Sequence, residues 1–173
     1  MLPSDHFVRF YNEAFKFLDA HGGLEEFFLA ISHHQERHCL ELCRKGIEGM
    51  YEYYLKIRKE ENCGMEMELK GKRFTSFMTH CPSLSKVLDN DATPCPKYCD
   101  HCHGWSIPLH TKGGMYYVHN RMGTTNPQCC GVRTSDRQEA EAALREYLES
   151  GVPREELFSN LDDWEEVERN KQK

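Results

Sequence analysis

The segment CPKYCDHCHGW, residues 95–105, places three cysteines and two histidines within nine positions. Cys95, Cys99 and Cys102 have the spacing C-x3-C-x2-C, which suits an iron–sulfur cluster because such clusters are held by cysteine thiolates. Cys99, Cys102 and His103 form the C-x-x-C-H pattern of covalent haem attachment. The same C-x-x-C also fits half of a zinc site or a redox dithiol. The rest of the chain must decide between these chemistries.

Two of these interpretations are disfavoured by what surrounds the motif. Haem is normally attached through thioethers outside the cytoplasm, and residues 1–18 lack the apolar core of an export signal because polar and charged residues interrupt them. The radical-SAM enzymes, which use C-x3-C-x2-C, wrap a large partial barrel around their cluster. Only 71 of the 173 residues follow Cys102. A metal site of another kind and a catalytic thiol remain open.

The composition narrows the class of protein. The chain has 39% hydrophobic and 29% charged residues, and we expect a single domain over residues 1–173. The net charge of −6 gives no basic field, so we expect neither nucleic acid nor a membrane as a partner. No run approaches the roughly 18 apolar residues of a membrane span. We therefore expect a cytoplasmic protein whose nine cysteines are thiols or metal ligands.

The metal interpretation depends on soft ligands. Thiolates and imidazoles suit zinc or an iron–sulfur cluster better than magnesium or calcium. A set of four ligands can be drawn from Cys81, Cys95, Cys99, Cys102, His103, Cys129 and Cys130. Adjacent cysteines rarely both bind one tetrahedral ion, so we expect only one of the last two to take part. Zinc or an iron–sulfur cluster is the cofactor that this interpretation predicts.

The alternative is thiol catalysis. A nucleophilic thiolate needs a neighbouring imidazole or cation, and histidines flank Cys99 and Cys102 in the sequence. We predict Cys99 as the nucleophile and Cys130 as the second choice, with Asp100 and His101 as the groups that transfer protons. The candidate anion-binding groups are Arg121 and Arg133. If neither chemistry applies, the thiols are free and several are buried as small apolar groups.

The elements that position these residues follow from hydrophobic periodicity. Residues 1–62 form a helical half, with helices ending at Gly22-Gly23 and covering residues 24–32 and 35–61. Residues 63–134 contain about four short strands, a short helix and a cysteine-rich loop over residues 89–108. Residues 135–173 form C-terminal helices, the last over residues 159–170. Helices, then strands, then helices indicate an α+β fold with a small antiparallel sheet.

The stretch that includes THCPSLSKVLDN, CPKYCDHC and HNRMGTTNPQCCGVRT, residues 79–134, resembles the L-2-amino-thiazoline-4-carboxylic acid hydrolase family. Members of that family similarly connect a helical N-terminal half to a cysteine-bearing strand end and to a later strand with cysteine and arginine. The matching positions are Cys81, Cys99, Asp100, Arg121, Cys130 and Arg133. The resemblance implies hydrolytic opening of a small ring that contains sulfur and nitrogen, with a thiol nucleophile and arginines for a substrate carboxylate.

Two functional predictions result, and both place the loop over residues 81–102 and the turn over residues 119–133 at one site. The first is a small cytoplasmic enzyme that hydrolyses or cleaves a C–N or C–S bond of a small substrate containing sulfur and nitrogen. In that enzyme, replacing Cys99 by Ser abolishes turnover. The second is a metalloprotein that binds zinc or an iron–sulfur cluster through Cys95, Cys99, Cys102 and a further cysteine. Cys95 separates the two, because only the metal site requires it.

Overall fold

The computed structural model describes residues 3–61, 63–89 and 93–172. These residues form seven α-helices and five strands. The helices are α1 (Pro3–His21), α2 (Leu24–Arg44), α3 (Gly46–Glu60), α4 (Pro82–Leu88), α5 (Asp100–Lys112), α6 (Arg137–Glu149) and α7 (Trp164–Asn170). The strands are β1 (Gly64–Lys70), β2 (Arg73–His80), β3 (Tyr116–Asn120), β4 (Cys129–Thr134) and β5 (Leu157–Ser159). The predicted α+β class is confirmed.

The strands form one antiparallel sheet in the order β1-β2-β4-β3-β5. The central strand β4 lies between β2 and β3, so that Gly131 is opposite Ser76 on one side and His119 on the other. The edge strand β5 was not predicted, and the helix predicted from residue 159 begins only at Trp164. Three residues are too few to show the period-2 pattern of a strand, and pairing with β3 decides their conformation.

One face of the sheet, here called the closed face, packs against α6 and α7. Tyr116, Val118 and Val132 point to this side and are at most 5% exposed. Ala140 and Ala143 of α6 are buried against them, and their small side chains allow the helix to lie close to the strands. The closed face is therefore a continuous apolar core.

The opposite face, here called the cavity face, lies under α2, α3 and α5. Because side chains alternate along a strand, Tyr117 and His119 of β3 and Arg133 of β4 point to this side. The sequence predicted helices over residues 24–32 and 35–61. In the structure α2 runs on to Arg44, and α3 begins at Gly46. Gly46 has a φ of +68°, a conformation that favours glycine, so the chain changes direction there.

Helix α5 is the largest correction to the predicted elements, because residues 100–108 were expected to be loop. Residues 90–92 of that predicted loop lie outside the described residues. Pro108 is inside the helix, and Gly104 lies one turn earlier. A Cβ atom on Gly104 would be 2.9 Å from Cδ2 of Phe28, so the missing side chain lets α5 pack closely on α2. The first turn of α5 carries Asp100, His101 and Cys102.

Candidate functional site

A cavity of about 320 Å³ lies between the cavity face of the sheet and the helices α2, α3 and α5. Thiol and thioether side chains form much of its wall, namely Cys39, Cys43, Met50, Met65, Met78, Cys102 and Cys129. Its polar lining comes from five elements and includes Tyr54, Ser76, His101, His110, Tyr117, His119 and Arg133. A mainly apolar cavity with a few converging polar groups is the usual form of a small-molecule site.

Arg133 supplies the positive charge of this cavity and is only 3% exposed. Its Nη1 donates a hydrogen bond to Ser76 Oγ at 2.9 Å, and its Nη2 donates to Tyr54 Oη at 2.6 Å. The guanidinium carbon lies 4.5 Å from the ring centroid of Tyr54 and 4.4 Å from that of Tyr117. Neutral side chains therefore hold the guanidinium in a fixed position.

No carboxylate of the described residues forms an ion pair with Arg133, and its buried Nε has no hydrogen-bond partner there. Arginine remains protonated in proteins, and a buried charge without a counter-ion is unfavourable. The cavity is therefore complementary to an anion. A planar carboxylate matches the fork of the guanidinium N–H groups.

Cys102 and His101 form a thiol–imidazole pair on the wall of the same cavity. The distance from Cys102 Sγ to His101 Nε2 is 3.4 Å. The other ring nitrogen, Nδ1, is hydrogen-bonded to the carbonyl oxygen of Tyr98. Because a carbonyl oxygen only accepts, Nδ1 carries the proton and Nε2 is free to accept one from the thiol. This is the arrangement of a nucleophile next to its general base.

Both members of this pair are neutral at rest. Burial, followed by the charge of Asp100, raises the pKa of Cys102 to about 11. Burial lowers the pKa of His101. The thiol therefore keeps its proton until a substrate is present, and the imidazole remains a base at neutral pH.

A phenol–imidazole pair lies on the sheet side of the cavity. Tyr117 Oη and His119 Nδ1 are 2.9 Å apart, and both residues are at most 3% exposed. The ring of His110 is stacked on that of Tyr117. Burial, followed by the charges of His103 and Arg133, lowers the pKa of His119 to about 3, while burial raises the pKa of Tyr117 well above its usual value. The pair is therefore a neutral phenol bonded to a neutral imidazole.

Arg121 and Asp100, both predicted as site residues, pair with each other at the edge of this region. Arg121 Nη1 donates to Asp100 Oδ1 at 2.6 Å. Its Nε and Nη2 donate to the two carboxylate oxygens of Glu156 at 2.9 and 3.0 Å. The predicted meeting of the loop over residues 81–102 with the turn over residues 119–133 is visible in this network. Arg121 thus has two carboxylate partners, whereas Arg133 has none among the described residues.

The predicted metal ligand Cys95 is not among the thiols that line the cavity. It is fully buried in an apolar cluster with Phe15, Leu84 and Tyr98, between α1 and α4. Its backbone N–H donates to Asn12 Oδ1 at 2.8 Å. Cys95 thus packs as a small apolar side chain.

Four other thiols converge at the start of α4, α5 and β4, and we call Cys81, Cys99, Cys102 and Cys129 the four-thiol group. The N–H of Cys81 donates to the carbonyl of Pro127 at 2.7 Å, which joins the start of α4 to the segment before β4. Burial raises the pKa of Cys99 and of Cys129, and negative charge on the other members raises each further. As placed, no three His, Cys, Asp or Glu side chains in the described parts of the chain could hold a metal ion.

The adjacent cysteines of β4 serve opposite faces of the sheet. Cys129 lines the cavity, whereas Cys130 Sγ accepts a hydrogen bond of 3.0 Å from Tyr147 Oη on α6. Alternation along the strand explains the separation. The predicted second-choice nucleophile therefore has its sulfur on the closed face.

His103, a predicted metal ligand, lies between the cavity and the edge strand β5. Its ring is stacked on Phe158 with 3.5 Å between centroids, and it is 5.9 Å from the ring of His119. Burial, followed by the charge of Arg121, lowers its pKa to about 4. The buried Nδ1 atom has no hydrogen-bond partner within the described residues.

Tyr54, Tyr117 and His119 are among the residues of this cavity that sequence reasoning missed. The alternation of β3 and β4 was a usable signal for two of them, since Tyr117 is paired with Arg133 and His119 with Gly131. Tyr54 had no such signal, because it reaches Arg133 from a helix 79 residues earlier in the sequence. Cys102 was predicted only as a metal ligand.

Comparison with known proteins gives no matching family model, no matching curated protein and no matching solved structure. Within the residues that the structure describes, no helix has the length and apolar character needed to cross a membrane. Functional inference therefore depends on the cavity itself.

Proposed function

We propose that this protein is a small cytoplasmic enzyme that uses a thiol to hydrolyse or cleave a C–N or C–S bond of a small substrate containing sulfur and nitrogen. We further propose that the substrate carries a carboxylate. The observation that supports this most directly is Arg133, a buried guanidinium without a carboxylate partner among the described residues, in the same cavity as a thiol–imidazole pair.

The proposed roles follow from the contacts. Arg133 binds the substrate carboxylate, held in place by Ser76 and Tyr54. The proton of the Cys102 thiol moves to His101 Nε2 as the sulfur forms a bond to the electrophilic carbon. The C–S bond of the substrate then breaks, and His101 gives its proton to the departing substrate sulfur. Water attacks the same carbon, and the bond to Cys102 breaks as a C=O group forms. The two protons of the water go to the substrate nitrogen and, through His101, to the Cys102 sulfur.

The choice of Cys102 differs from the sequence prediction of Cys99, which stays a prediction. Cys102 lines the cavity and has an imidazole nitrogen at 3.4 Å, whereas Cys99 packs beside the apolar cluster of α1 and α4. Burial raises the pKa of Cys99, negative charge on Cys102 and Cys81 raises it further, and the charge of Arg121 lowers it in part. A thiol with a base beside it is the better nucleophile.

The test uses 2-amino-2-thiazoline-4-carboxylate as the probe and follows the new thiol that appears when its ring C–S bond opens. We expect Cys102→Ser to lower kcat by at least about 1,000-fold, because the alcohol is a much weaker nucleophile than the thiol. Cys43→Ser, a change at another thiol of the cavity wall, is the matched control and should retain activity. Full activity of the Cys102→Ser variant would refute the proposed nucleophile, and loss in Cys99→Ser alone would return the role to Cys99.

The proposed carboxylate contact has its own test. We expect Arg133→Gln to raise KM for the same probe by about 100-fold, the effect of losing a charged hydrogen bond of about 2 to 3 kcal/mol. Arg121→Gln is the matched comparison, because that guanidinium already has two carboxylate partners. An equal rise in KM for both variants would contradict the assignment to Arg133.

A second candidate function, a metalloprotein, is favoured by the four-thiol group. The four thiols lie at the starts of three elements. Burial raises the pKa of Cys129, and negative charge on Cys102, Cys81 or Cys99 raises it further. Thiolates are ligands for zinc and for iron–sulfur clusters. An iron–sulfur cluster spans a larger space than one ion, so it is the better candidate for thiols that are not placed to share a single ion.

Metal analysis decides between the two candidates. Protein purified without oxygen would be examined for iron, sulfide and zinc and for broad visible absorption. A bound cluster would be lost in Cys129→Ser and retained in Cys95→Ser, since Cys95 lies in the apolar cluster of α1 and α4. A colourless, metal-free protein would leave the thiol enzyme as the remaining candidate.

A further inference from the structure

The cavity holds a second hydrogen-bonded pair whose chemistry the proposed thiol mechanism does not yet use. Tyr117 and His119 of β3 are separated by 2.9 Å between Oη and Nδ1 and both line the cavity. The Cys102–His101 pair comes from the first turn of α5, on the other wall. Two hydrogen-bonded pairs that can transfer protons therefore line one cavity, one from α5 and one from β3. Arg133 is on β4, at the position paired with Tyr117.

Addition of a thiol to a carbon–nitrogen double bond requires two proton transfers. The sulfur loses a proton, which His101 can accept. The nitrogen gains an electron pair when the double bond opens, and it needs a proton at the same moment to avoid becoming a strong anion. The Cys102–His101 pair supplies only the base, so the reaction needs a separate acid.

We propose that Tyr117 is this acid, a further catalytic residue of the same site; this inference rests on the proposed function. The phenol donates its proton to the ring nitrogen of the substrate while the sulfur of Cys102 bonds to the adjacent carbon. The ring C–S bond then breaks, and its sulfur takes the proton held by His101. When water attacks the same carbon, one of its protons restores the phenol, and the other passes through His101 to the Cys102 sulfur as the bond to that sulfur breaks and a C=O group forms.

Arg133 offsets part of the cost of forming a phenolate at Tyr117, because burial raises the pKa of this phenol and the charge of Arg133 lowers it. The guanidinium of Arg133 lies 4.4 Å from the centroid of its ring, so a full positive charge is present where negative charge develops. When His119 donates its Nδ1–H to the phenol oxygen, the phenol proton is directed away from His119 and toward a bound substrate. His119 is therefore a positioning residue for Tyr117.

Arg133 then has two roles: it binds the substrate carboxylate, and it supplies positive charge beside Tyr117. Its hydrogen bonds to Tyr54 and Ser76 fix its position, while its buried Nε has no partner and its charge has no carboxylate partner among the described residues. A carboxylate bound there would place an attached ring between the thiol of α5 and the phenol of β3. The substrate class is therefore a small ring with a carboxylate and a basic C=N nitrogen.

The test compares two probes in the intact protein. The first, 2-amino-2-thiazoline-4-carboxylate, has a ring nitrogen that must be protonated. The second, p-nitrophenyl acetate, acylates the thiol and releases p-nitrophenolate, which needs no acid. We expect Tyr117→Phe to lower kcat on the thiazoline by about 100- to 1,000-fold, the usual contribution of general acid catalysis, and to leave KM and the acylation rate unchanged.

The controls separate a chemical role from a structural one. Tyr53→Phe removes a hydroxyl from another residue of the cavity wall and should retain both rates. Cys102→Ser identifies the acylation that occurs at Cys102 and subtracts reaction at other thiols.

Each result has a distinct meaning. Unchanged thiazoline turnover in Tyr117→Phe overturns the inference and leaves the proposed function intact. An equal loss on both probes also overturns it, because Tyr117 would then support the site only structurally. A wild-type protein that neither opens the thiazoline nor acylates Cys102 refutes the proposed function, and one that acylates but leaves the thiazoline intact refutes the reaction class; the assignment of Tyr117 fails in either case.

Discussion

The two faces of the sheet use the same strands for opposite purposes. On the closed face, Val118 and Val132 pack against the alanines of α6. On the cavity face, the adjacent residues Tyr117, His119 and Arg133 surround an open space. A buried charge without a counter-ion lowers stability, whereas the apolar contacts of Val118 and Val132 with the alanines of α6 raise it. The buried charge of Arg133 thus lies beside the cavity and outside the apolar packing against α6.

The largest expected effect comes from placing a carboxylate on each face in turn. We expect Val132→Asp to lower the free energy of unfolding by about 4 kcal/mol or to prevent folding, since Val132 is 5% exposed among apolar side chains and the nearby Arg73 already pairs with Glu139 and Glu146. Ser76→Asp, on the cavity face, places its carboxylate beside the guanidinium of Arg133 and should leave stability unchanged or higher. Urea denaturation of both variants measures the difference.

Ser76→Asp also has a functional consequence. The new carboxylate occupies the guanidinium that the proposed substrate needs, so we expect the KM for 2-amino-2-thiazoline-4-carboxylate to rise at least about 10-fold. Equal destabilisation by Val132→Asp and Ser76→Asp would remove the proposed distinction between the faces. Retained binding in Ser76→Asp would show that Arg133 is not the anion site.

Acid should destabilise the protein through the histidines of the cavity. Burial lowers the pKa of His110 and of His119 to about 3. Because the unfolded state takes up these protons near pH 6.5 and the folded state does not, stability is complete above that pH and decreases as the pH falls toward 3. We expect a loss of roughly 3 kcal/mol between pH 7 and pH 5 from these two groups.

The measurement is the urea midpoint as a function of pH. Burial also lowers the pKa of His101 and of His103, so His119→Asn and His110→Gln each remove one of four such groups and should each make the dependence shallower by about one quarter. A dependence that is the same in both variants as in the wild type would mean that other groups cause it.

A smaller effect is expected when the paired arginine is removed. Arg121→Gln leaves the carboxylates of Asp100 and Glu156 without their cation. All three side chains are about one-fifth exposed, so solvent compensates in part and we expect a loss of about 1 to 2 kcal/mol. Lys56→Gln, which breaks the more exposed pair with Glu60, is the control and should cost less than about 0.5 kcal/mol.

The smallest effect concerns the closed face near Cys130. We expect Tyr147→Phe to lower the free energy of unfolding by about 0.5 to 1 kcal/mol, because it removes only the hydrogen bond from the phenol to the sulfur. Turnover of the thiazoline probe should not change, since this contact lies on the face away from the cavity. A substantial fall in kcat would connect Cys130 to the chemistry after all.

The sequence predicted the fold class because the relevant patterns are local. Strands β1 and β2 and the helix α1 have apolar residues at regular intervals, and such intervals reflect the burial of one face. Helix α5 was missed because its cysteines, glycine and proline are typical of loops, while its packing against Phe28 is a tertiary contact. The candidate cavity was predictable only in part for the same reason. Arg133 was expected, but Tyr54 reaches it from a distant helix.

The wall of thiols and thioethers around the cavity has a consequence for selectivity. Sulfur has a diffuse, easily polarised electron cloud, and dispersion attraction grows with polarisability. Met50, Met65 and Met78 also have flexible side chains that adapt to the outline of a bound molecule. Such a wall favours a heterocycle containing sulfur over its oxygen counterpart through dispersion attraction. No directional contact to the sulfur atom is needed for this preference.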